Sequence, residues 1–93
     1  MSEESIEMDR EAGRFTINVE DHIGALIFTM ADGIMRITSV RVPDAIGGRG
    51  VAGRLTRHAL DQARSDGMAV DPACPYVKRW IERHPDYADL IAT

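Results

Sequence analysis

Ninety-three residues, 44% of them hydrophobic, suffice for one compact domain spanning 1–93, and the single cysteine, Cys74, excludes an internal disulfide. The formal net charge of −4 argues against a nucleic-acid-binding surface, which usually needs a basic domain. No apolar run approaches the roughly 20 residues that cross a bilayer, and the acidic start Met1-Ser2-Glu3-Glu4-Ser5 lacks a secretion-signal pattern, so the expected setting is reducing and cytoplasmic, with the chain a monomer or weak dimer.

Met1 to Ala12 reads as a polar lead-in, within which Ile6 and Met8 have the spacing to begin a strand. From Arg14 to Glu20 the pattern alternates, with Phe15, Ile17 and Val19 against Arg14, Thr16 and Asn18. That predicts a strand with one wet face. Asp21-His22 is expected as a short polar turn before a second strand, Ile23 to Met30. Asp32-Gly33 is the dipeptide a tight hairpin favours, because both central positions need positive φ. Ile34 to Val42 is a further strand that Pro43 ends, since proline cannot donate to a ladder. The opening is therefore an antiparallel meander.

After Asp44 to Gly48 the period changes to that of a helix. Val51, Leu55, Ala59 and Ala63 mark one face, with Ala52 and Leu60 beside them. The helix is expected from about Arg49 to Ser65, with Gly67 as its C-terminal cap. Met68 to Asp71 is short and apolar enough for a fourth strand. Pro72-Ala73-Cys74-Pro75 is a rigid connector, and Tyr76 to Arg83 a second helix with Val77, Trp80 and Ile81 as its core face. Pro85 stops it, and Tyr87, Leu90 and Ile91 are expected to close the core as a terminal turn.

The run Gly47-Gly48-Arg49-Gly50-Val51-Ala52-Gly53 joins a strand to a helix that has no Ser, Thr, Asp or Asn directly before it. Its first amides therefore need acceptors. An anion there would satisfy them and meet the positive end of the helix dipole. The bland alternative is a flexible connection capped by water. Gly48-x-Gly50-x-x-Gly53 also matches the dinucleotide fingerprint, with Asp71 at about the expected distance. That reading fails because Pro43 to Ile46 separate the glycines from the strand, because hairpins precede the loop, and because too little chain remains for a parallel sheet. No Gly-Lys-Ser/Thr follows, which excludes a P-loop.

One lysine, Lys78, stands against ten arginines. Arg57 and Arg64 read as a solvated helix face, whereas Arg49 lies inside the glycine loop. Cys74 lies before a proline-started helix, a place that can lower a thiol pKa; a lone cysteine is more often a small buried hydrophobe. His22, His58 and His84 are scattered, and no Cys/His spacing suggests a metal site. His58 and His84 read as structural.

Two stretches taken in order carry a resemblance. Val42-Pro43-Asp44-Ala45-Ile46-Gly47-Gly48-Arg49-Gly50-Val51-Ala52 is similar to the coenzyme A loop of GNAT acetyltransferases. Cys74-Pro75-Tyr76-Val77, followed by Glu82-Arg83-His84-Pro85-Asp86-Tyr87-Ala88-Asp89-Leu90, resembles the small single-domain branch of that superfamily named for its cysteine and glycine motifs. The similarity spans about Arg14 to Ile91. It implies an α+β fold: a mixed sheet, antiparallel early, then a helix, a splayed strand and a C-terminal helix.

The resemblance also implies a site. The strand ending at Val42 would pair with the pantetheine arm of acetyl-CoA, and the strand Met68 to Asp71 would diverge from it. The pyrophosphate would lie on the amides from Gly48 to Ala52, next to Gly47 and Arg49, and Cys74 would sit near the thioester. The implied activity is acetyl transfer to an amine, by direct attack or through Cys74. Two family features are replaced here. The loop usually begins with Gln or Arg where Gly47 stands, and a His-Thr-Glu run is usual where Ser39-Val40-Arg41 stands. Arginine stays protonated and cannot act as a base in place of that glutamate. The alternatives are a coenzyme A- or acetyl-CoA-binding module or partner subunit without catalysis and a small structural protein whose loop binds nothing.

Overall fold

In the computed structural model, which describes residues 5–92, the alternating stretches pair into one mixed sheet. Its strands are β1 (Ile6–Asp9), β2 (Arg14–Val19), β3 (His22–Ala31), β4 (Ile34–Arg41) and β5 (Ala69–Pro72), in spatial order β1-β2-β3-β4-β5. The first four strands run antiparallel, and β4 and β5 are parallel. The lead-in is thus not merely polar, because Ile6 pairs with Ile17 and Met8 with Phe15. Its first four residues, and Thr93, lie outside the described residues.

Two hairpins are set by local chemistry. Asp32 and Gly33 both take positive φ, 53° and 76°, as their dipeptide predicts. The β2–β3 turn is a correction: it is Glu20-Asp21, at φ 50° and 66°, and His22 already pairs with Val19. No glycine marks that turn. The side chain of Asn18 accepts the Asp21 N–H at 3.1 Å and holds it instead.

The helix α1 (Val51–Ser65) joins β4 to β5, and α2 (Pro75–Arg83) follows β5. Both lie on the sheet face that carries Phe15, Leu26, Met35 and Val70, and all join one core cluster. The opposite face, with Thr16, Ala25, Ile27 and Arg36, stays partly or fully exposed. Helix α1 begins at Val51, two residues later than the periodicity suggests, because Gly50 is left-handed (φ 75°) and serves as its N-cap. Its far end is a Schellman closure: the Met68 N–H donates to the Ala63 carbonyl at 2.9 Å and the Gly67 N–H to Arg64 at 3.2 Å. Gly67 has φ 69°, which makes it the residue suited to that turn.

Packing outweighs the missing cap of α1. Leu55 and Leu60 are fully buried, and each such burial contributes roughly 1.5–3 kcal/mol. A lost N-cap costs about 1 kcal/mol. The first turn sits close to β3 because Gly24 faces it: a Cβ there would lie 3.2 Å from Val51 Cγ1 and 3.5 Å from Leu55 Cδ1.

The C-terminal segment is fastened by α1. Residues Pro85–Leu90 form a 3₁₀ helix, Ile91 bridges Val70, and the Ala92 N–H donates to Val70 at 2.8 Å. Tyr87 donates its hydroxyl to Asp61 at 2.8 Å, and Arg64 pairs with Asp89 at 3.0 Å. Arg57 lies over the rings of Trp80 and Tyr87. Arg57 and Arg64, expected as a solvated face, therefore clamp the terminus. His84 stacks on Trp80 at 3.7 Å, and His58 meets Phe15 edge-on at 5.6 Å.

Gly24→Leu is expected to lower the unfolding free energy by about 1–3 kcal/mol, the usual cost of overpacking. Urea denaturation reads it directly. An unchanged midpoint and slope would mean that α1 does not press on β3 at this point.

Candidate functional site

The site begins where β4 and β5 part. They pair over only four residues, from Ile34↔Ala69 to Ile37↔Pro72. Just beyond, β4 carries a bulge: Phe28 partners Ile37 and Ile27 partners Ser39, so Thr38 is the extra residue. The Cys74 N–H closes the vertex by donating to the Ile37 carbonyl at 2.9 Å. From Ser39 to Arg41, β4 stays paired with β3 but has no partner in β5. This is the divergence expected of the strand Met68 to Asp71, which forms as Ala69–Pro72.

The chain then turns through Val42, Pro43 and a 3₁₀ turn, Asp44–Ile46, anchored by the fully buried Ile46. Gly48 (φ 76°) and Gly50 (φ 75°) are both left-handed, and a Cβ built on either meets nothing within 4 Å. Their role is conformational, and they face open space. Gly47 differs: its φ is −68°, and a Cβ there would touch the Asp44 carbonyl at an ordinary 3.4 Å. The first helical bond is Arg54 N–H to the Gly50 carbonyl at 3.0 Å, and no side chain caps α1. The amides of Val51, Ala52 and Gly53 precede that bond and have no acceptor within the helix.

These residues line a cavity of about 270 Å³ with walls from Val42, Ile46, Gly47, Gly48, Gly50 to Gly53, and Tyr76. The structure thus brings together Val42, Gly47, Gly48, Gly50, Val51 and Ala52. It adds Gly53 and Tyr76, which the sequence reading named within motifs but did not place in the site. A Cβ on Gly53 would lie 3.5 Å from the Tyr76 hydroxyl and 3.4 Å from Trp80 Nε1, so Gly53 lets α2 lie against the first turn of α1. The signal for it was a glycine inside a helical pattern, which costs about 1 kcal/mol relative to alanine and so points to a packing reason.

Arg49 does not line the cavity. Its guanidinium donates to Glu20 in the β2–β3 turn, which ties the glycine loop to that hairpin. The hydrogen bond and charge of Arg49 hold the exposed Glu20 carboxyl below its ordinary value. Cys74 also lies off the cavity wall. It is the N-cap of α2, with its side chain in no capping bond and only 6% of its surface exposed. It sits at the vertex, whereas the cavity opens at the far end of the unpaired stretch of β4.

This arrangement can receive an extended ligand with an anionic group. The loop amides and the helix dipole would meet the anion, and the uncovered edge of β4 would meet its chain as an added strand does. Among the described residues no cluster of His, Cys, Asp and Glu has the makings of a metal site, and no helix is long and apolar enough to cross a membrane.

Comparison with known proteins points the same way. The family model described as GCN5-related N-acetyl-transferase matches residues 14–90. Protein NATD1 of Gallus gallus is 28% identical over 83 residues, covering 86% of this chain and 76% of that protein. Its Homo sapiens counterpart is also 28% identical, over 86% of this chain and 74% of its own length. The solution structure of a GCN5-like protein from Staphylococcus aureus superposes with a TM-score of 0.77 at 22% identity, covering 99% of this chain and 91% of that one.

The Glu20–Arg49 pair has a pH signature. A carboxyl whose folded pKa is lowered stabilises the fold above its unfolded pKa, and that contribution is lost as pH falls through the folded value. Glu20 is expected to titrate below the ordinary glutamate range by NMR and to return to it in Arg49→Met. An unchanged Glu20 titration in that variant would show that the pair does not form in solution.

Proposed function

The chain belongs to the GCN5-related N-acetyl-transferase family, and from that premise we propose that it transfers the acetyl group of acetyl-CoA to an amine. One observation carries the reading: an uncapped helix start behind two left-handed glycines, opening on a cavity beside the unpaired edge of β4. The fit is favourable on the chain's own geometry. Gly48 and Gly50 leave room where a side chain would stand, and the amides of Val51, Ala52 and Gly53 are the donors a diphosphate needs. Val42 and Tyr76 would flank the pantetheine arm.

When bound, acetyl-CoA supplies an activated acetyl thioester. The chain's part is then to align, to exclude water and to offer β4 amides beyond Ile37 to the charge that develops on the carbonyl oxygen. Direct attack by a neutral amine is the route favoured here. A relay through Cys74 needs a reachable sulfur, and burial of that residue speaks against it. The proposal includes a reducing, cytoplasmic setting and a monomer or weak dimer.

A second reading, a coenzyme-binding module without catalysis, is favoured by the exposed Arg41 in place of the family's glutamate. Binding and turnover separate the two. Acetyl-CoA is expected to raise the melting temperature, since ligand at 100 times its Kd adds about 2.7 kcal/mol of apparent stability. Absence of any shift or calorimetric heat at millimolar coenzyme would remove both readings. Binding without release of thiol across a panel of amines would leave the module.

Two loop variants probe the anion site. Gly50→Asp is expected to weaken coenzyme binding far more than folding, because its carboxylate would face the phosphate. Gly47→Arg adds a side chain where φ is ordinary, and about tenfold tighter binding is expected from one charge-assisted contact of about 1.5 kcal/mol or more. Equal affinities of both variants and the parent would place the phosphate elsewhere.

For Cys74, intact mass after incubation with acetyl-CoA and acid quench is expected to show no acetyl group on the sulfur. Cys74→Ala is expected to retain transfer. A hydroxylamine-labile acetyl mapped to Cys74, with transfer abolished in the variant, would establish the relay instead.

A further inference from the structure

Beside the vertex, the helix-free face of the sheet carries an unusual combination. Cross-strand partners share a face, so the pairs Ala25↔Arg41 and Ile27↔Ser39 put Arg41 and Ser39 on the side where Ala25 and Ile27 lie. The bulge at Thr38 sets this orientation. Without the extra residue the alternation would have turned Arg41 toward the core.

Three arginines occupy this face, and each of two has a carboxylate opposite or beside it, with an ion pair formed by Arg36. Arg14 stands opposite Asp9 across β1 and β2, and Arg36 pairs with Asp71 at 3.7 Å. Arg41 stands opposite alanine, and its side chain makes no ion pair or hydrogen bond among the described residues. The acid in its row is Glu7, reached through Ala25 and Thr16. Three strand spacings put Glu7 roughly 14 Å away. Next to Arg41 runs an apolar strip on β3, made of Ile23, Ala25 and Ile27. Among the described residues Ile23 is the large hydrophobic residue left exposed, at 57%, and Arg41 is exposed beside it.

We infer that this patch is the acceptor site, and that the acceptor is a small amino carboxylate with an apolar side chain. The inference rests on the acetyl-transfer reading above and adds to it the class of amine. Arg41 would take the carboxylate, the strip of Ile23, Ala25 and Ile27 the apolar side chain, and the amine would lie toward Ser39 and the vertex. Both halves of such a ligand meet their complement here, whereas a polyamine would bring its charges up against the Arg41 guanidinium.

Arg41 also does part of what the missing glutamate would do. In a free amino acid the carboxylate favours the charged form of the neighbouring amine. Pairing with Arg41 offsets that charge, so the amine gives up its proton more readily without a protein base. The neutral nitrogen then bonds to the acetyl carbon and the carbon–sulfur bond breaks. The electron pair leaves on sulfur as thiolate, and the surplus proton on nitrogen passes to solvent.

The test compares leucine, leucinamide and spermidine as acceptors for the full chain, by thiol release and by mass of the product, with acetyl-CoA binding measured separately by calorimetry. Leucine is expected to exceed leucinamide in kcat/KM by about tenfold or more, the scale of one charge-assisted contact. Arg41→Gln is expected to bring that ratio near unity with coenzyme affinity unchanged, and Arg41→Lys to restore part of it. Equal use of leucine and leucinamide by the parent, preference for spermidine, or selectivity that persists in Arg41→Gln would each overturn the acceptor assignment alone. So would coenzyme binding with no transfer to any of the three. Failure of acetyl-CoA to bind the parent would overturn the reading beneath it as well.

Discussion

The parting of β4 from β5 after four paired residues is the constraint on which the rest of the site depends. A parallel pair normally runs its full length, since each unpaired N–H or carbonyl needs another partner. Here the pairing ends at a defined point. Thr38 bulges toward β3, and the Cys74 N–H takes the last carbonyl, that of Ile37. The ladder therefore ends satisfied, and beyond it β4 keeps one bonded edge and offers the other. Proline contributes on β5: Pro72 has no N–H, so this strand could not extend its donor pattern in any case.

The same division of labour holds at the glycine loop. The groups an anion would meet there are backbone amides, whose directions are fixed by α1, and α1 is fixed by Leu55 and Leu60 in the core. Such donors lose almost no side-chain entropy when they meet an anion. A long cationic side chain in their place would lose up to about 2 kcal/mol of rotamer freedom. Gly47 has dispensed with such a side chain, and Arg49 is already committed to Glu20. The loop relies on geometry more than on charge, in keeping with a net charge of −4.

Much of this was legible in the sequence, and the boundary has physical causes. Alternation located β2, β3 and β4 because one sheet face is wet, and the 3.6 period located α1 because one helix face is buried. Asp32-Gly33 announced its hairpin through its need for positive φ. Glu20-Asp21 was read one residue late, at Asp21-His22, because neither residue is a glycine and the local bond from the Asp21 N–H to the Asn18 side chain is a weaker signature than Asp-Gly. Ile6 and Met8 in β1 were ambiguous because four residues give too few alternations to decide. At the site, Gly48, Gly50 and Ala52 were readable from a strand-loop-helix motif. Tyr76 was not, since its place in the cavity depends on where α2 crosses α1, and only Gly53 hinted at that approach. The bulge was invisible too: Ser39-Val40-Arg41 reads as regular strand, yet one extra residue decides which face its arginine occupies.

That last point bears on what a lost glutamate means. Replacing an acid by arginine at the end of β4 removes a base, and on residue type alone it reads as loss of catalysis. The fold gives it another sense. Arg41 is held on the open face by the bulge and stands opposite alanine, whereas Arg14 stands opposite Asp9 and Arg36 pairs with Asp71. A charge without a partner on a protein surface costs little, because water solvates it. Its place beside Ile23 and next to an open strand edge gives it a use, since a ligand that joins an anion to an apolar side chain would pair with it and remove exposed apolar surface from water. Among the described residues no helix covers that side of the sheet, so on the proposed reading selectivity among amines would come from strand residues, and Arg41 is the one that faces alanine instead of a carboxylate.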